Sequence, residues 1–148
     1  MPHRLADLRD LVARALANEV ERTSFDTPPA RAFEALCGSL RGRLQPLFGA
    51  AAVQALFARA LHLARVEFPW LSLVEPVKPD ACSLAGLEDA AAQRDPAEVR
   101  DGVVAVLAHD LQLLITFIGE DLAVPLIEQA WGISVERSKI GPKTLIND

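Results

Sequence analysis

The chain has 148 residues, with 15 Lys+Arg against 20 Asp+Glu for a formal net charge of −5, and 51% of its residues are hydrophobic. A chain of this size buries roughly 70% of its unfolded surface, enough for one real core, and the composition excludes a disordered or collagen-like chain. An acidic balance without a basic stripe argues against nucleic-acid binding, which rests on Lys and Arg meeting phosphates.

The apolar stretches 102–108 and 111–118 are separated by His109 and Asp110, and each is shorter than the roughly 20 apolar residues of a membrane span. The N-terminus shows no secretory pattern. Cys37 and Cys82 are far apart and form no C-x-x-C pair. The expectation is therefore a cytoplasmic protein with reduced thiols and no membrane contact.

With 24 alanines, 22 leucines and no tyrosine, the chain favours helices over strands. Leu5, Leu8, Val12, Ala15 and Leu16 recur at three-to-four spacing and define a first helix that fades over 18–22. Asp26 or Thr27 can cap a second, with Pro28 in its first turn. Its buried stripe is Phe33, Leu36, Cys37, Leu40 and Leu44, ending before Pro46. A third helix is expected over 49–68, with Val53, Leu56, Phe57, Ala60, Leu61 and Ala64 on one side and Pro69 as its stop. Segment 69–80, with three prolines, reads as a crossing loop pinned by Trp70 and Leu71.

A short fourth helix is expected over 83–94, weakened by Gly86. Asp95, Pro96 and Glu98 then give an N-cap, a first-turn proline and a first-turn acid. The fifth helix, about 96–118, is the most apolar and reads as the central one. Steps of about 100° place Asp101, His109, Gln112 and Thr116 on a narrow polar strip, and Val99, Val103, Val106, Leu107, Leu113, Leu114 and Phe117 around the rest. After Gly119, 120–131 forms a last helix interrupted by Pro125 and capped by Gly132. No internal repeat is visible. The fold class is all-α: a single-domain bundle of five to six helices over 1–132, with a C-terminal tail over 133–148.

No complete catalytic, nucleotide or metal motif is present, and His3, His62 and His109 lie far apart, so neither a cofactor nor a metal is expected. Asp110 falls inside the apolar stripe of the fifth helix. A carboxylate there needs an ion pair or hydrogen bonds, because burying an unpaired charge costs several kcal/mol or forces protonation. Arg59, on the flank of the third helix, is the partner proposed from sequence. Together they could also supply the polar contacts of a small-ligand pocket. His62 reads as a solvated side chain. Trp70 and Trp131 close helices and read as packing anchors or interface residues. The seam Leu5, Leu8, Val12 and Ala15 can pack inside the bundle or form a dimer contact.

The run Ala108, His109, Asp110, Leu111, Gln112 has an acid after the histidine, a leucine two positions on and a glycine ten on at Gly119. It resembles the phosphoacceptor motif of sensor histidine kinases and part of the histidine phosphotransfer motif. That resemblance implies His109 as phosphoacceptor, oriented by Asp110. Gln112 stands where that family has lysine, Leu113 where it has glycine, and the kinase motif's proline is missing. The leading expectation is a non-enzymatic interaction or regulatory module, self-associating or bound to a protein partner. The alternatives are a phosphotransfer-like signalling protein and a helical small-ligand sensor.

Overall fold

A computed structural model describes residues 5–23, 28–76 and 84–134. Six α-helices occupy these residues: α1 (Leu5–Thr23), α2 (Pro29–Phe48), α3 (Ala50–Glu67), α4 (Leu87–Ala92), α5 (Pro96–Ile118) and α6 (Glu120–Trp131). A 3-10 turn (Pro69–Leu73) and two-residue strands β1 (Glu75–Pro76) and β2 (Leu84–Ala85) separate α3 from α4. The strands pair antiparallel, Glu75 opposite Ala85 and Pro76 opposite Leu84. The all-α bundle expected from composition and period is the fold that forms.

Helix α5 is its centre, packed against α1, α2, α3 and α6. Val99, Val103, Val106, Leu107, Leu111 and Leu114 are all buried along it, and α1 delivers Leu8, Val12, Ala15 and Leu16 to the same core. Each such valine or leucine contributes about 1.5–3 kcal/mol by leaving water. The helix is 23 residues long and apolar enough to meet the composition test for crossing a membrane, a property that the short apolar runs on either side of His109 and Asp110 had hidden. In the bundle the neighbouring helices cover most of it.

Two hairpins build the bundle with the same joint. Gly49 alone links α2 to α3, and Gly119 alone links α5 to α6. Each closes its first helix through its own N–H, to the Gln45 and Ile115 carbonyls respectively, at 2.8 Å in both cases. The geometry repeats although the sequence around it does not.

Several expectations are corrected. Helix α2 continues past Pro46 to Phe48; the carbonyl that Pro46 leaves unbonded belongs to Gly42, and both residues are exposed, so water can satisfy it. The caps expected at Asp26 or Thr27 lie outside the described residues, and Pro28 is the observed N-cap. The crossing loop is partly regular, and Arg65 holds its 3-10 turn by donating to the Leu71 and Val74 carbonyls, at 3.1 and 2.5 Å. The fourth helix begins only at Leu87, because Leu84 and Ala85 pair with the strand at 75–76. Asp95 caps α5 through its backbone carbonyl, which accepts from Glu98 and Val99, and its side chain makes no capping bond. Phe117, expected in the core, is 64% exposed: it lies in the last turn of α5, just before the chain reverses at Gly119. Gly132 caps α6 as expected. The tail beyond Ser134 lies outside the described residues.

Candidate functional site

The consecutive residues His109 and Asp110 point the chemistry of α5 in two directions, because adjacent helical residues differ by about 100°. Asp110 is the one buried charged residue in the described core, 8% exposed. It faces a cavity of about 30 Å³ between α2, α3 and α5, lined by Cys37, Arg41, Leu44, Gln54 and Phe57 among others. Burial pushes its carboxyl pKa up to about 7. Among the described residues no ion pair reaches it.

The sequence-proposed partner is not there. Arg59 is exposed and outside the cavity; Arg41, four residues after Cys37 on α2, lines it instead. Arg41 donates from Nε to Gln45 Oε1 at 3.2 Å, along its own helix. The volume has room for about one water, well below the roughly 300 Å³ at which small-molecule pockets begin. A roomier concavity of about 280 Å³ opens at the other end of α2, between Pro29, Arg31, Glu88 and Pro96. Beside it, Glu34 has its pKa raised by burial and by Glu88, with Arg31 opposing.

His109 is half-buried, on the polar strip of α5 whose members Asp101 and Thr116 are exposed. It sits near the ion pair that Arg9 of α1 forms with Glu67 at the end of α3. Burial lowers its pKa, Arg9 lowers it further and Glu67 partly offsets both. Its Nδ1 is buried with no hydrogen-bond partner among the described residues. The lowered pKa favours the neutral imidazole, which is the state able to act as a nucleophile. His62 is exposed, as expected.

The proposed interface residues are mostly interior. Leu8 and Val12 are 1% and 0% exposed, Leu5 is half-buried, and the seam is spent within the bundle. Trp131 is buried and donates from Nε1 to the Leu36 carbonyl at 2.9 Å, tying α6 to α2. Trp70 is buried between Arg94, whose guanidinium carbon lies 5.4 Å from the ring centroid, and Gly102. Both tryptophans are packing anchors.

Exposed large apolar side chains lie at two other places: Val66 and Leu73, 77% and 61% exposed, near the end of α3 and in the 3-10 turn, and Leu47, Phe117 and Leu122, 61%, 64% and 62% exposed. The second group is the one backed by an aromatic contact. All three flank the two glycine joints, and half-buried Phe48 meets Phe117 edge-on, with centroids 6.4 Å apart. Sequence reasoning missed this end of the bundle. Its signal was the apolar pair before each joint glycine, Leu47-Phe48 and Phe117-Ile118. Among the described residues no group of three His, Cys, Asp or Glu side chains could hold a metal ion. No family model, curated protein or solved structure matches the chain.

Proposed function

We propose that the chain is a non-enzymatic helical interaction module that self-associates through the apolar end formed by Leu47, Phe48, Phe117 and Leu122. The observation that carries this reading is the Phe48–Phe117 contact, flanked by leucines more than half exposed. Clustered exposed apolar side chains of this kind mark association surfaces. The rim favours a second copy as the occupant. Arg43 lies one turn before Leu47 on α2, and the exposed Asp121 stands beside Leu122 at the start of α6. A surface carrying both signs beside one apolar centre can complement itself across a two-fold axis.

Light scattering after gel filtration tests it. Wild-type protein at tens of micromolar is expected as a dimer, and Phe117→Glu as a monomer with an unchanged helical circular-dichroism spectrum. A wild-type monomer, or a Phe117→Glu dimer, overturns the reading.

A second reading is favoured by the position of Arg9. A cation beside a neutral, half-buried imidazole could stabilise a phosphoryl group on His109, so a phosphotransfer-like signalling role is the alternative. Incubation with a phosphorylated receiver domain would leave acid-labile phosphate on His109, lost in His109→Ala; no label sinks it.

A further inference from the structure

We propose that the Asp110 cavity is a proton-linked switch: with the carboxyl protonated, α2 and α3 close on α5, and with it ionised, water enters the cavity and the adjoining α2–α3 end of the bundle loosens. The device needs three things, and the structure has them. The first is an acid removed from solvent without a compensating ion pair among the described residues; Asp110 is 8% exposed and burial alone accounts for its raised pKa. The second is space that can hydrate. About 30 Å³ takes one water, and the Asp110 carboxyl shares the lining with the polar residues Gln54, Arg41 and Cys37. The third is a mechanical connection. Leu44 and Val53 line the cavity from α2 and α3, one turn on either side of the Gly49 joint.

The groups that face Asp110 set the direction. From α2 these are the Cys37 thiol and the Arg41 guanidinium; from α3 the only polar lining group is the neutral Gln54 amide; no residue of α1 or α6 lines the cavity. On α5 the neighbouring His109 belongs to the Arg9–Glu67 side. On ionisation the Asp110 proton leaves to solvent, and the new carboxylate draws in water and the only charged lining group, Arg41. Hydrating the carboxylate takes more water than the one that the space already holds, which widens a space whose remaining walls are Leu40, Leu44, Val53 and Phe57. Leu47 and Phe48 follow Leu44 within one turn. The switch therefore also regulates dimerisation, a consequence that rests on the self-association proposed above.

Amide hydrogen exchange at pH 6 and pH 8, corrected for intrinsic rates, is the test, read over 40–57 in wild type, Asp110→Asn and monomeric Phe117→Glu. Wild type and Phe117→Glu are expected to lose protection several-fold at pH 8, and Asp110→Asn to show no difference between the two values. The same pH response in Asp110→Asn, or no response in wild type, overturns the switch. If Phe117→Glu responds while wild type is monomeric, the switch stands and its link to dimerisation falls. Should Asp110→Asn not fold, carbon NMR of the wild-type Asp110 carboxyl decides: titration near 7 supports the proposal and titration near 4 overturns it.

Discussion

Gly49 and Gly119 hold almost the same backbone conformation, φ/ψ of 89°/155° and 92°/154°. That region is essentially restricted to glycine, because a Cβ there meets the flanking backbone. Neither glycine has a neighbouring atom within 4 Å of an added Cβ, so a substitution is penalised through conformation alone. Gly49→Ala and Gly119→Ala should each cost about 1–3 kcal/mol in urea denaturation. Gly38→Ala, inside α2 with equally open surroundings, should stabilise by roughly 0.5–1 kcal/mol.

Leu8 and Val12 separate folding from assembly. Both are fully covered by the bundle. Leu8→Ala should lower stability by about 2–5 kcal/mol, through lost transfer energy and the cavity left behind. Its effect is on the denaturation midpoint, with subunit count at native conditions unchanged. Phe117→Glu is expected to do the reverse, and equal destabilisation by both substitutions would remove the distinction.

Trp70 leaves no space above Gly102. A Cβ at 102 would lie 2.5 Å from the ring's Cζ2, inside any real contact distance. Gly102→Ala should therefore displace the indole and cost about 1–3 kcal/mol by overpacking. Comparison of its fluorescence with that of a Trp131→Phe background would isolate the Trp70 emission. Unchanged emission would falsify the close stacking.

Asp110 and His109 impose opposite pH dependences on stability. The Asp110 pKa is raised in the fold to about 7 from an ordinary 3.8, so the folded state binds the extra proton. Stability from this group is full below the unfolded value and falls as pH rises from about 4 through about 7, by at most roughly 1.4 kcal/mol per pH unit. The His109 pKa is lowered from 6.5, so the folded state prefers the neutral ring. Its contribution is full above 6.5 and falls as pH drops through the folded value. From pH 5 to 8 the slope of the denaturation midpoint against pH should be more positive in Asp110→Asn than in wild type, and less positive in His109→Gln than in wild type.

Much of the architecture was legible because helices are local. The 3.6-residue period located α1, α3, α5 and α6 closely, the proline and glycine stops bounded them, and the same arithmetic placed Asp110 on the apolar face of α5. Period alone determines the radial direction of a side chain on its own helix. It does not determine which helix arrives to cover that direction, nor how far along. Packing therefore decided that the Leu8–Val12 seam is interior, that His109 is half-covered near Arg9 and Glu67, and that Phe117 projects beyond the last covering turn. The cation that lines the cavity of the buried acid was equally a tertiary outcome. Arg59 and Arg41 both lie on helices facing α5, and only the relative rotation of α2 and α3 brings Arg41 to the cavity and turns Arg59 to solvent. The helices and the buried acid were written in the sequence; the surroundings of that acid and the apolar side chains left exposed at the glycine-joint end were set by how the helices pack.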